Sequence, residues 1–422
     1  MPTGSLPGLG SGRIWEVAFA PSDPSLAAAA TDNGVYISVD GGLNWTQSGL
    51  RGVGVWAVAF SPSTNAPSIY AGLQKNGGVR VSSDEGQSWT NQSSGLPNLD
   101  VRCIAVSSVG IAVGTDDGVA LSTNGTTWTA EGLSGDSVSA VAMIASPPSV
   151  VVYAGIDYPS TTHGFLFRFD PSQGAGWSPI TTDLPHPPVI VNSISLGPTS
   201  ASVSNNPILV ATSGGAYWST DGGTSWSASQ GLASTATVTD AAYSPLDPNL
   251  VYAGSDSGGS SGGGLWRSTD GGQTFQTFIS GLPTSHAKTQ YPLQEVESLA
   301  VASGSPYPTV LAAVDPYNQN AQIYRQVDST APSPPAGGAT ASPSGTLSPL
   351  PVSASATATP ATAASNGGTN HGPTPSTTPL AAQVAGAVFH FPIPLVFEIL
   401  FVLLVVFLLI RWRRHYYVEG PP

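Results

Sequence analysis

Three segments of the chain repeat one eight-residue phrase, Ser-x-Asp-x-Gly-x-x-Trp, at 38–45, 82–89 and 219–226, and a fourth at 268–275 ends in Phe275 instead of Trp. Two further copies are degenerate. The segment 122–128 has Asn124 in place of the acid and is one residue short, and the segment from Asp170 to Trp177 has a lengthened turn. The acid or its stand-in therefore falls at Asp40, Asp84, Asn124, Asp170, Asp221 and Asp270, at spacings of 44, 40, 46, 51 and 49 residues. A fixed period of this length marks a chain built from repeated supersecondary units. The phrase itself carries hairpin chemistry: Asp bonds nearby backbone N–H groups, Gly accepts positive φ, and the aromatic residue leads into the next strand.

Between these turns a six-residue apolar unit recurs seven times, at 14–19, 55–60, 101–106, 138–143, 191–196, 238–243 and 296–301. Its fifth position is always Ala or Ser, as expected where strands crowd toward a common axis. A second strand follows (Ile69-Tyr-Ala-Gly, Val152-Tyr-Ala-Gly, Val251-Tyr-Ala-Gly), then a third such as 34–38. Seven units of four short strands predict an all-β, seven-bladed β-propeller over residues 1–328. The seventh unit shows three strands, ending near Val327, and no Ser-x-Asp phrase. Residues 1–10 contain Ser5-Leu-Pro-Gly-Leu9, similar to the stretches that follow other fourth strands, so the N-terminus is expected to close the ring as the missing outer strand.

The repeated phrase resembles the Asp-box (BNR) repeat of sialidases, of the sortilin-type Vps10 domain, of some xyloglucanases and of Ycf48-like photosystem assembly factors. The resemblance implies that Asp40, Trp45, Asp84, Trp89, Asn124, Trp128, Asp170, Trp177, Asp221, Trp226, Asp270 and Phe275 are structural. It also places their turns on the face away from any active site. The Arg-Ile-Pro signature of sialidases is not met, because Arg13-Ile14 is followed by Trp15. The sortilin likeness lacks the Cys-rich module, and a single seven-bladed ring is nearest in form to the Ycf48-like factors.

Charge narrows the partner classes open to the propeller. Up to residue 328 the chain holds 23 Asp and Glu (all 25 but Glu398 and Glu419) against 9 Lys and Arg (all 12 but Arg411, Arg413 and Arg414). Nucleic acid is excluded as a partner, since phosphate binding needs clustered cations. Cys103 is the one cysteine, so no intrachain disulfide forms, and six His without ligand spacing give no transition-metal signature. Neither a metal nor another cofactor is expected.

Residues 329–388 are almost wholly Ser, Thr, Ala, Pro and Gly and read as a disordered stalk, spanning roughly 40–50 Å as a flexible coil. The segment 389–411 contains an apolar span, 391–410, with the length of a transmembrane helix; Arg411 follows that span at once, and Arg413 and Arg414 with Trp412, Tyr416 and Tyr417 lie in a short basic-aromatic tail, 412–422. The positive-inside rule puts that tail in the cytoplasm and the propeller outside, a single-pass arrangement in the cell membrane. No secretory signal is visible at the N-terminus. An upstream leader, or a tail-anchored protein with a cytosolic propeller, are the two ways to reconcile this. Glu398 is the one charge within the span, either functional or held protonated or snorkelled outward.

The repeat serves as its own control for locating a site. The second position of the inner unit reads Trp15, Trp56, Arg102, Ser139, Asn192, Thr239 and Glu297, the most varied column in a regular unit. Varied positions are expected to carry no shared packing duty, so Trp15, Trp56, Arg102 and Glu297 are the candidate ligand-binding residues. Two indoles and a guanidinium near a channel mouth suit sugar rings or a peptide, with inter-blade packing as the structural alternative for the tryptophans. Asp32, Asp116, Asp117, Asp157, Asp256 and Asp315 gather in loops expected on that face, and the loops 157–163, 256–264 and 282–294 are its longest. Two function classes remain. One is a membrane-anchored, non-catalytic binding propeller for an extracellular protein or glycan. The other is an anchored glycoside hydrolase, sialidase-like or xyloglucanase-like, using either Glu16 and Asp240, acids at a third inner position that is otherwise small, or the loop acids. Arg80, Arg168, Arg267 and Arg325 read as one repeated third-strand position and hence as structural, which leaves Arg13, Arg51 and Arg102 for an arginine triad.

Overall fold

The computed structural model describes residues 2–332, apart from 64–65, 147–148, 158–164, 174–175, 182, 185–188, 199–205, 233–236, 257–262, 279–294, 304–306 and 316–320. Most of the stalk and the whole apolar run 389–411, with Glu398, fall outside the described residues, as do most of the three long loops named above. Among the described residues no helix is long and apolar enough to cross a membrane.

Seven four-stranded antiparallel sheets make the propeller. Blade one runs Ile14–Ala20, Asp23–Thr31, Gly34–Ser38, Thr46–Arg51, from inner to outer strand. The inner strands of blades two to seven are Val55–Phe60, Val101–Val106, Val138–Ser146, Val191–Leu196, Val238–Tyr243 and Glu295–Ala302. Blade seven continues with Thr309–Asp315 and Gln322–Val327, and its outer strand is Pro2–Ser5, paired antiparallel through Pro2↔Tyr324 and Ser5↔Gln322. The N-terminus therefore closes the ring, as the sequence predicts.

The core is a set of apolar layers between neighbouring blades. The first inner position is buried in every blade, from Ile14 at 1% exposure to Val296 at 0%. Its closeness to the preceding blade explains the glycine ending the Tyr-Ala-Gly strands. A Cβ on Gly72 would lie 2.7 Å from Val101, and one on Gly254 2.7 Å from Val296. Leu6 and Leu9 complete the layer between blades seven and one, with Ile14, Tyr36, Trp45, Leu311 and Ile323.

The repeated turns are locked from within. Ser38 Oγ accepts from Gly42 N–H at 2.8 Å and donates to Asp40 Oδ1 at 2.8 Å, while Asp40 Oδ1 accepts from Asn44 N–H at 2.8 Å. The same set recurs around Ser82 and Asp84, Ser219 and Asp221, and Ser268 and Asp270. Burial acts to raise the Asp40 pKa, but the hydrogen bonds from Asn44, Ser38 and Leu43 outweigh it and hold the carboxyl at about 2. For Asp84 the hydrogen bonds from the Ser88 hydroxyl and N–H and from Ser82 dominate, also giving about 2. The aromatic residue sits just ahead of the outer strand, and three of them tie blades together: Trp128 Nε1 donates to Gln92 O at 2.6 Å, Trp177 to Glu131 O at 2.7 Å and Trp226 to Ile180 O at 2.9 Å, whereas Trp89 Nε1 donates to Gly86 O of its own turn at 3.1 Å. Around Asp170 the turn is a short 3-10 helix, 171–173, and Trp177 stacks on Phe169 with centroids 5.3 Å apart.

One sequence expectation is corrected. Arg168, Arg267 and Arg325 pair opposite Tyr153, Tyr252 and Leu311, at equivalent second-strand sites, but Arg80 pairs with Ala71, one residue out of step. A one-residue offset in a strand reverses the side chain, so Arg80 does not share their role. Arg325 Nε donates to Gly41 O of the next blade's turn at 2.8 Å, whereas Arg80 donates locally to Gly77 O at 2.7 Å.

Candidate functional site

In all seven inner strands the pairing register shifts between the first and third positions, at Ile14/Glu16, Val55/Ala57, Val101/Cys103, Val138/Ala140, Val191/Ser193, Val238/Asp240 and Val296/Ser298. Each second-position residue is thus the extra residue of a bulge, which breaks the in-out alternation and re-aims the side chain. All seven second-position side chains, and the third-position ones except Ala57, consequently line the same axial cavity. Its inner part, of about 200 Å³, meets Glu16, Cys103, Ser193, Asp240 and Ser298. Its outer part, of about 350 Å³, opens between Trp15, Trp56, Arg102, Asp157, Asp256 and Glu295. The four sequence-predicted binding residues, Trp15, Trp56, Arg102 and Glu297, line both.

The blade one-to-three side of the mouth is a preorganised aromatic and cationic wall. Trp15 Nε1 donates to Asp32 Oδ1 at 2.7 Å. Gln74, from the loop after Leu73, lies against both indoles; with its amide oxygen turned to them it accepts from Trp15 and Trp56 Nε1 at 3.1 Å each. The Arg13 guanidinium sits 4.9 Å above the Trp15 ring and pairs with Glu297, and Arg102 sits 5.0 Å above the Trp56 ring. Arg102 is also held by Asp116 and, at 3.1 Å, by Asp157. Burial raises the Asp157 pKa and Asp116 adds to it, against the opposing pull of Arg102.

The opposite side is built from small polar residues, and here the idea that varied positions carry no shared packing duty is corrected. Ser139 Oγ donates to Val191 O at 2.6 Å, Asn192 Nδ2 donates to Val238 O at 2.7 Å, and Thr239 Oγ1 donates to Val296 O. Each reaches the first inner residue of the following blade. Three chemically different side chains thus do one job, which a column of residue types does not reveal.

Glu16 and Asp240 lie deeper, tied to main chain. Glu16 Oε2 accepts from Val58 N–H of blade two at 2.8 Å. Asp240 Oδ2 accepts from Leu299 N–H at 2.7 Å and from Ser298 Oγ at 3.0 Å, and Oδ1 accepts from Ala241 N–H at 2.8 Å. Ser298 Oγ accepts in turn from Val17 N–H at 3.2 Å, linking blades six, seven and one. Burial, reinforced by the charge of Asp240 and only partly offset by Val58 N–H, pushes Glu16 up to about 8. Burial also raises Asp240, despite hydrogen bonds from Ser193, Leu299, Ala241 and Ser298, and raises the Cys103 thiol.

A stability consequence follows from linkage. A carboxyl whose pKa is higher folded than unfolded contributes stability that is complete below the unfolded value near 4.5 and lost as pH rises through about 8. The lowered Asp40 and Asp84 act oppositely, and their contribution disappears as pH falls through about 2. Urea titrations across pH are expected to show wild-type stability falling between pH 5 and 9, and Glu16→Gln flattening that limb. A limb of equal slope in the variant contradicts the assignment.

Among the described residues no group of three or more His, Cys, Asp or Glu is placed to hold a metal ion. Sequence reasoning missed Gln74, Arg13 as a partner of Glu297, and Glu295. All three lie outside the six-residue unit, where no repeat flags them.

Comparison with solved structures recovers the fold. The GH74 xyloglucanase from Xanthomonas campestris aligns at TM-score 0.53 and 16% identity over 77% of this chain and 53% of its own. YCF48 from Cyanidioschyzon merolae aligns at 0.50 and 18%, over 76% and 97%, and YCF48 bound to D1 peptide at 0.52 and 18%, over 78% and 96%. The chain spans about half the length of the GH74 enzymes it matches. No family model and no curated protein matches the sequence. At these identities the likeness is one of fold, a seven-bladed propeller shared by hydrolases and by proteins of other kinds.

Proposed function

We propose that this chain is a non-catalytic binding propeller that presents its axial cup to an extracytoplasmic protein or glycan, held at a membrane by the apolar segment 389–411. The carrying observation is the cup itself, where bulges in seven inner strands aim Trp15, Trp56, Arg102 and Glu297 at one cavity mouth. Ring faces and a guanidinium fixed by Asp116 and Asp157 form a rigid recognition surface, and rigidity of this kind lowers the entropic cost of binding. The Asp-box resemblance fits a scaffold whose repeated turns are structural and lie away from the ligand. YCF48, which shares the fold, has been solved with a D1 peptide bound, an instance of a propeller of this size holding a peptide. Anchoring is tested by protease treatment of intact cells. Cleavage within 333–388 without lysis is expected, and full protection would place the propeller in the cytosol.

A second reading has its own observation. Glu16, pushed up to about 8 beside Asp240, is a carboxyl kept protonated at neutral pH, the state a glycosidase general acid needs. Against it, Glu16 and Asp240 each accept main-chain N–H groups of a neighbouring blade, so both already hold the ring together. The variant Glu16→Gln/Asp240→Asn separates the readings. Binding is expected to survive it within about three-fold, as isosteric changes below the contact surface cost little. Loss of a measurable glycoside-hydrolase turnover in this variant would establish the enzyme instead.

A further inference from the structure

Among the described residues, the hydroxyls and carboxylates of the cup offer a ligand lone pairs rather than donors. Ser139 and Thr239 each own one O–H, and both are given to carbonyls, Val191 O and Val296 O. A hydroxyl that has donated its proton can offer a ligand only lone pairs. Asn192 commits one amide N–H to Val238 O and keeps its carbonyl oxygen. The indole N–H groups of Trp15 and Trp56 face Asp32 and Gln74, and Arg102 is engaged by two carboxylates and by the Trp56 ring. Around the outer cavity, Asp157, Asp256, Glu295 and Glu297, with Asp32 and Asp116 beside them, outnumber the two guanidiniums placed there among the described residues, Arg102 and Arg13, of which Arg13 pairs with Glu297 and lies 4.0 Å from Glu295.

A ligand group complementary to such a wall has several donors, no acceptor and a positive charge. Guanidinium and ammonium groups fit this description; carboxylates and phosphates meet acceptors and like charge, which is costly on desolvation. A sugar hydroxyl brings two acceptor lone pairs with each O–H donor, and those lone pairs would face acceptors. The outer volume of about 350 Å³ admits one long side chain end-on rather than a folded element.

From this donor-acceptor balance we infer that the cup binds a cationic, multi-donor group, the side chain of an Arg or Lys presented by a partner or the equivalent amine of a free polyamine. The inference rests on the cup being a binding site, the reading proposed above, and specifies what that site takes. The cation enters between the Trp15–Trp56 wall and the Ser139–Asn192–Thr239 wall, where the carboxylates neutralise it and the hydroxyl lone pairs accept its N–H groups.

The test is titration of the whole propeller, by calorimetry and tryptophan fluorescence, with acetyl-Gly-Arg-Gly-amide, acetyl-Gly-Lys-Gly-amide, spermidine, acetyl-Gly-Glu-Gly-amide and a xyloglucan oligosaccharide. The cationic probes are expected to bind at low salt, with affinity falling at least about ten-fold in Asp256→Asn/Glu295→Gln, as loss of two attracting charges predicts. Asp256→Lys, on a loop outside the inner ring, serves as a second variant, with its melting curve as the check on folding, and is expected to abolish binding. Tighter binding of the peptides than of spermidine identifies a partner's side chain, and the reverse order a free polyamine. The inference is overturned if the cationic probes do not bind or bind the variants equally well. Binding of the Glu peptide or the oligosaccharide alone, lost in Trp56→Ala, would overturn it while leaving the cup as a binding site.

Discussion

Deleting residues 2–9 is expected to lower the melting temperature of the propeller by about 10 °C. Leu6 and Leu9 are buried at 3% and 7% exposure in the layer between blades seven and one. Removing two buried leucines costs roughly 4–8 kcal/mol, and for a domain of this size each kcal/mol moves the midpoint by about 2 °C. The same segment supplies carbonyls to blade one: Tyr36 Oη donates to Pro7 O at 2.9 Å and Asn33 Nδ2 to Gly8 O at 3.0 Å. Its loss also exposes the Gln322–Val327 strand as an open edge, so aggregation on heating should appear in the deletion and not in the wild type. A midpoint within about 2 °C of wild type, read by circular dichroism, would show that Pro2–Ser5 contributes little to closure.

Asp328→Ala is expected to destabilise by about 3–5 kcal/mol, the range for stripping one partner from a buried charged pair. Asp328 is 1% exposed and accepts from Tyr252 Oη at 2.7 Å, from Arg267 Nη1 at 2.9 Å and from Thr330 Oγ1 at 2.7 Å. Burial works to raise its pKa, but these hydrogen bonds and the Arg267 charge outweigh it and lower the value. Burial first, and then Asp328, push the Tyr252 hydroxyl well above its ordinary range. Because the Asp328 pKa is depressed, its contribution is present above the unfolded value near 3.8 and is lost as pH falls through the folded one. Asp328→Asn keeps the shape and the tyrosine bond and should cost less than the alanine change, with a flatter acid limb. Equal stability of Asp328→Ala and wild type in urea would contradict this lock between blades six and seven.

Asp328 also shows why part of the fold was hidden in the sequence. Arg325 and Arg267 are equivalent, and Asp328 follows Arg325 by three residues as Asp270 follows Arg267. Blade seven therefore keeps the turn aspartate, but Ser, Gly and Trp are missing around it, so the phrase search finds nothing there. The ring number and the closing strand were legible because they rest on seven near-identical apolar units and a period. That the varied column stands apart from its regular neighbours was legible for the same reason, and the structure places that column along the axial cavity. What the column could not show is the bulge, since register is a relation between two strands and leaves no mark on one. The shared task of Ser139, Asn192 and Thr239 escaped for a related reason: a hydrogen bond to a carbonyl accepts any donor, so residue identity drifts while geometry stays. Gln74 occurs in a single loop, and a repeat is silent about what happens once.

The central claim is that recognition occurs at the axial cup and not on the face of the repeated turns. It is tested most directly by placing the photo-crosslinking residue p-benzoylphenylalanine at position 56, in the cup, or at position 87, in the exposed turn after Asp84, and irradiating cells that make the full chain. The account predicts a discrete partner captured from position 56, and competed away by the purified propeller, with none from position 87. Capture from position 87 alone, or the same partner from both positions, would contradict it.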